Sequence, residues 1–346
     1  MTQLRVLLRY AVVVALLSAC ADTNAPAPEP TEALLAVNST ANTLSIVPVD
    51  NPSAAVEVQL GGTTPTPVGV SAFGRTAIVP LGLDNAVAVV DLVDRTLART
   101  IPLPANSGAT GSAMLDDSIA YVANPNLNTV SRVNYLTGET TETPAGVYPQ
   151  GIVYARGRIF VLDGNLVNFA PAGPSWLTVI DPTTNQAIDS IALTGPGNAG
   201  FGTLGPDGLL YVMNTGSFFE GEGRLSIVDP VQFTELASFA GFGRGPGGLA
   251  ADADSRVYVS SFAEGLMVFD TDANQVVRGA GNGVAIASNS AVAVDSKGTI
   301  YAIESGACQG GQPGVAHVLD SAFVEKAAIP LGECPSGALT VQIPAE

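Results

Sequence analysis

The 346-residue sequence has one histidine, one tryptophan and three cysteines, and its 14 lysines and arginines face 31 aspartates and glutamates. Each scarcity closes off a class of chemistry. With His317 alone, acid–base catalysis by a histidine pair and metal centres built on several imidazoles are excluded. No Cys-x-x-Cys-His motif occurs, so a c-type haem has no attachment point. A formal charge of −17 leaves no basic footprint for nucleic acid. The apolar run Tyr10–Leu17 is too short to span a bilayer.

What the chain does have is turn formers and apolar side chains: 38 glycines, 24 prolines and 47 % hydrophobic residues, enough core for one large domain. The stretch Ser118–Gly138, SIAYVANPNLNTVSRVNYLTG, combines an apolar strand, a polar turn, an alternating strand and a closing turn. Its centre recurs as Leu35, Ile78, Tyr121, Phe160, Tyr211, Tyr258 and Tyr301, with spacings of 43, 43, 39, 51, 47 and 43. A polar stop after the following strand recurs in step, at Asp50, Asp91, Asn134, Asp181, Asp229, Asp270 and Asp320. Two markers agree on seven copies.

A period in the forties with several short strands per copy predicts an all-β fold: a seven-bladed β-propeller of four-stranded blades. The innermost strands are expected to begin at stretches such as Pro67–Val70, Gln150–Ile152, Gly247–Leu249 and Ala291–Ala293, where small residues let seven strands approach one axis. The first copy begins at its second strand, Leu34–Val37, while Ser336–Ile343 is left over at the end. The C-terminal strand is therefore expected to complete blade one and close the ring. Blades are placed at about 33–62, 63–104, 105–147, 148–196, 197–243, 244–285 and 286–333, with 33–346 as one propeller domain.

Tyr121–Asn124 (YVAN) and Tyr211–Asn214 (YVMN) resemble the YVTN-type propeller repeat, and Ala293–Ile303 (AVDSKGTIYAI) is similar to the NHL-type repeat. Propellers of these kinds include surface-layer modules, scaffolds, lactonases and lyases, so the resemblance implies a fold rather than an activity. A lyase of the streptogramin type fails on its catalytic residues, because the chain has no histidine besides His317.

Residues 1–20 read as a targeting segment, with Arg5 and Arg9 before the apolar run. Leu17-Ser18-Ala19-Cys20 resembles the lipobox of bacterial lipoproteins, which implies acylation of Cys20 and a membrane anchor on the extracytoplasmic side, at the outer membrane if the cell is Gram-negative. Residues 21–32, ADTNAPAPEPTE, form a proline-rich tether. Without residues 1–20 the chain carries 12 basic and 31 acidic residues, a formal −19. That surface is expected to keep the protein monomeric and soluble, and it leaves a divalent cation such as calcium as the one cofactor to consider.

The remaining cysteines, Cys308 and Cys334, form an even pair in an exported chain and are expected to make a disulfide clasping blade seven. Three long loops share a face: 164–176, 215–223 and 305–314, carrying Phe169, Trp176, Phe218 and Phe219. These aromatics suggest a surface for a protein or polysaccharide partner. A column three residues after each strand marker runs Asn38, Leu81, Asn124, Asp163, Asn214, Ser261 and Glu304, expected to bond loop backbone. Asp163, Asn214 and Glu304 in it, with Arg244 at a blade junction, are ligand candidates at the channel mouth. A metal-dependent, lactonase-like hydrolase there is the alternative reading, and a structural envelope module is a third. Asp270, Asp272 and Asn274 imitate a calcium loop but lack its sixth-position glycine, so they read as a turn. His317 reads as a satisfied strand residue.

Overall fold

The computed structural model describes residues 29–345. Its strands form seven four-stranded antiparallel sheets plus a two-stranded hairpin, Leu166–Val167 with Ala170–Pro171, and the described residues include no α-helix. The sheets are the blades of a β-propeller. Their innermost strands touch in a cycle that returns from the last to the first. The expected lipobox with Cys20, and the tether as far as residue 28, lie outside the described residues.

The second strand of every blade reads as an unbroken apolar run because both its faces are covered. Successive side chains of a strand point to opposite faces, and in Thr31–Asn38 this sends Leu35 and Val37 towards blade two and Leu34 and Ala36 towards blade seven. The same division repeats around the ring, giving seven apolar clusters, one at each junction between blades. A blade removed from its neighbours would expose both halves of its core.

The polar stops work as turn caps. One carboxylate or amide oxygen accepts backbone N–H bonds from the residues two or three further on: Val93 and Asp94 at Asp91, Leu136 and Thr137 at Asn134, Val231 and Gln232 at Asp229. This is the Asx-turn, which ends a strand by competing for its backbone. Asp270 does the same with Ala273 N–H, so the calcium-loop imitation is a turn. A related device ties the tyrosines of the second strands. Tyr211, Tyr258 and Tyr301 donate their hydroxyls to Asp207, Asp252 and Asp295, whose other oxygens accept N–H groups of the preceding turn.

Closure is by the chain ends. Pro335–Ile343 pairs antiparallel with Thr31–Asn38 as the innermost strand of blade one. Thr31 lies opposite Ile343, and Glu32 accepts bonds from the backbone and hydroxyl of Ser296 in a turn of blade seven. At the other end of the same strands, Cys308 and Cys334 are joined, 26 residues apart, and Ser39 N–H bonds the Cys334 carbonyl. The disulfide thus fastens the long loop of blade seven to the entry of the closing strand. Such a crosslink fits an oxidising compartment.

One innermost strand departs from its expected position. In blade two it spans Ser71–Phe73, after Pro67–Val70 rather than within it. Continuing the ladder would bring Gly69 opposite Pro80, which has no N–H to donate. The small residues elsewhere do permit close approach: a Cβ on Gly111 would collide with the Gln150 carbonyl, and one on Gly337 would lie 2.6 Å from the Val68 carbonyl oxygen.

Two stability predictions follow from this geometry. Gly111→Ala should cost about 1 to 3 kcal/mol, because the neighbouring backbone must shift, seen as a lowered midpoint in urea unfolding. Replacing both Cys308 and Cys334 by serine should cost about 3 to 4 kcal/mol on the loop-entropy model, and the stability of the double variant should no longer respond to reductant.

Candidate functional site

The axis of the ring opens, on the long-loop face, into a cavity of about 730 Å³ walled by the innermost strands of six blades and, in blade two, by Val68–Val70 just before its innermost strand. A β-bulge at the start of several of these strands shapes it. The register slips at Gln150, at Gly200, across Gly247 and Gly248, at Ser290 and at Ser336. A bulge frees a residue from its own ladder and turns it sideways, and here the side chains of Gln150, Ser290 and Ser336, like that of Thr110 ahead of the innermost strand of blade three, reach the next blade. Thr110 Oγ1 donates to the Gln150 carbonyl at 2.9 Å, Gln150 Nε2 to the Ala199 carbonyl at 3.3 Å, Ser290 Oγ to the Pro335 carbonyl at 2.7 Å and Ser336 Oγ to the Pro67 carbonyl at 3.3 Å. Ser112 is bonded to Ser71. These bonds tie five of the seven blade junctions at the mouth.

Most of the remaining wall is glycine backbone and apolar side chain, with Phe201, Phe218 and Phe262 at its rim. Arg244 is the only charged residue in the lining. Its side chain is exposed and has no hydrogen-bond or ion-pair partner among the described residues. Neighbouring Glu264 accepts the backbone N–H of Arg244 and that of Gly281, not the guanidinium.

Of the residues singled out in the sequence, Arg244 and Phe218 reach this mouth and the others do not. The polar column turns away from the axis into the blades. Asn38 Nδ2 donates to Thr43 and Ser45 on the third strand, and Thr43 in turn bonds Glu57 on the fourth. Asn124 repeats the motif with Thr129, Ser131 and Glu142, and Asn214 bonds Ser226. The partners are therefore mainly side chains across the sheet rather than the loop backbone expected from the sequence. Glu304 joins the pattern through His317, whose Nε2 lies 3.0 Å from Glu304 and whose Nδ1 lies 3.1 Å from Glu325. His317 is thereby a bonded residue of the third strand of blade seven. Two members do serve backbone: Ser261 accepts from Ala263 and Glu264 and donates to the Arg244 carbonyl, and Asp163 accepts from Gly146.

Among the aromatics, Trp176 begins the third strand of blade four and packs by Gly146, half-buried. Phe169 stands edge-on to Tyr148 at 6.0 Å, and Phe219 is 86 % exposed beside Phe218. Sequence reasoning missed Phe201 and Phe262. Both were readable as departures: Phe201 is a large residue between two glycines of an innermost strand, and Phe262 stands where the register elsewhere has Ser39, Gly82, Pro125, Gly164, Thr215 and Ser305. No group of three or more His, Cys, Asp and Glu residues converges as a metal site among the described residues.

Asp163 is the most perturbed carboxyl of the column. It is fully buried, accepts from Thr178 Oγ1 at 2.6 Å and Gly146 N–H at 2.9 Å, and has no cation beside it. Burial pushes its pKa up to about 7, against the pull of those two bonds. The folded protein thus holds a proton that the unfolded chain releases between about pH 4 and 7, so this group's contribution is complete at low pH and lost as pH rises through 7. Asp163→Asn should therefore gain stability relative to the parent over that range, by up to about 4 kcal/mol. Urea unfolding at a series of pH values would check it; a difference independent of pH would contradict it.

The architecture is shared with solved structures. The hydrazine synthase of Kuenenia stuttgartiensis aligns with a TM-score of 0.64 at 15 % identity, over 79 % of this chain and 89 % of the other. A streptogramin B lyase aligns with a TM-score of 0.63 at 12 % identity, over 81 % and 91 %. The likeness is one of fold. A scan of protein-family models and a search of curated proteins each find no match.

Proposed function

We propose that the protein is a lipid-anchored, extracytoplasmic β-propeller that binds a protein or polysaccharide partner through its long-loop face. The observation that carries this reading is the gathering of Phe169, Phe201, Phe218, Phe219 and Phe262 at that face, each at least 40 % exposed. Exposed aromatic surface costs free energy in water, and contiguous patches of it are characteristic of recognition surfaces. The opposite face exposes Phe73 and Tyr154, set on different blades. The disulfide supports export, and the lipobox-like Leu17–Cys20 supports an acyl anchor. No helix among the described residues is long and apolar enough to cross a membrane.

A photo-crosslinking residue at Phe219, in the intact cell envelope, tests the binding face. Lys297 is the control, exposed on a turn of the opposite face and paired with Asp50. A discrete adduct at Phe219 alone is expected, and equal adducts at both positions, or none at Phe219, would refute the reading. Cys20→Ser should move the protein from the membrane fraction to the soluble one; retention on the membrane would remove the acyl anchor.

A further inference from the structure

The cavity at the channel mouth, of about 730 Å³, lies within the size range of small-molecule sites. What it can recognise is limited by which of its polar groups are still free. Gln150 spends both amide hydrogens on blade five, on Asn198 and the Ala199 carbonyl. The hydroxyls of Thr110, Ser290 and Ser336 are given to carbonyls of the neighbouring blades, and Ser112 shares its bond with Ser71. A sugar, each of whose hydroxyls needs a partner when buried, would find these donors already used. The guanidinium of Arg244 is the strong donor left over, and it is the only charge in the lining. The rest of the accessible surface is phenylalanine, aliphatic side chain and glycine.

We infer that the mouth binds a small amphiphilic anion: an apolar, preferably aromatic body seated among Phe201, Phe218 and Phe262, with one anionic group held by Arg244. A single fixed cation on a strongly acidic protein favours one negative charge over several, since the surrounding field repels the rest. The planar fork of an arginine suits a carboxylate, sulfonate or phosphate. This site shares Phe201, Phe218 and Phe262 with the proposed partner-binding face, but it is tested separately: the dyes report on the cavity itself, whatever the crosslinking result at Phe219, which lies outside the lining.

The test uses two dyes that differ in charge: 1-anilinonaphthalene-8-sulfonate, and N-phenyl-1-naphthylamine, which lacks the sulfonate. The protein is the full chain carrying Cys20→Ser, so that no acyl chain competes for the dyes. Saturable binding of the sulfonate at one site per chain is expected. Arg244→Gln should weaken the sulfonate about tenfold or more while leaving the neutral dye within about twofold, and Phe218→Ala should weaken both. The inference is overturned by sulfonate binding that does not saturate, by Arg244→Gln acting equally on the two dyes or on neither, or by Phe218→Ala leaving both unchanged.

Discussion

Seven strands must meet around one axis, and their backbones can do so only where side chains stay out of the way. At Gly111, Gly151 and Gly337 a single added carbon would strike the backbone of the next blade. That crowding decides much else. Glycine gives the wall little side-chain chemistry of its own, so the polar contacts between blades come from residues beside it, the bulged Gln150, Ser290 and Ser336 together with Thr110. Because their hydrogen bonds hold neighbouring blades together, the same residues are withdrawn from ligand binding, and the chemistry of the mouth rests with Arg244 and the rim aromatics.

Farther from the axis the blades diverge and the constraint reverses: space must be filled. The apolar clusters at the junctions do this, and the polar columns regulate it within each sheet. Asn38, Asn124 and Asn214 are each fully buried at the end of a second strand, where a carboxamide without partners would cost about 1 to 3 kcal/mol. Hydroxyls on the third strand satisfy the Nδ2 groups, and in blades one and three glutamates of the fourth strand extend the chain of bonds to the blade's outer edge. These carboxylates are structural ties across a sheet.

The period of the fold was legible because both repeating markers have local causes. A strand buried on both faces must be apolar throughout, and an Asx-turn needs its own Asp or Asn, so Leu34–Val37 or Asp229 announces itself without knowledge of its neighbours. The ring closure was legible for a similar reason: Thr31–Asn38 lacks an inner neighbour in sequence, and Ser336–Ile343 lacks a blade. The direction of the columns was harder to read, because whether Asn124 points to the axis or across its sheet depends on where Ser131 and Glu142 come to lie. A spacing of seven from Asn to Ser, shared by Asn38 and Ser45 with Asn124 and Ser131, was the available sign. The mouth was least legible. Phe201, Phe218, Arg244 and Phe262 come from separate elements of blades five and six and become neighbours only when those two blades pack.

The entry of the first strand carries a consequence for how the molecule is presented. Thr31 begins opposite Ile343, and Glu32 is bound by Ser296, so the polypeptide enters the ring on the face of the short turns. The disulfide, Arg244 and the phenylalanines Phe169, Phe201, Phe218, Phe219 and Phe262 occupy the other side. Under the anchoring proposed above, the propeller would be mounted like a bowl on a stem, with its floor towards whatever carries it and its open rim towards the surrounding medium.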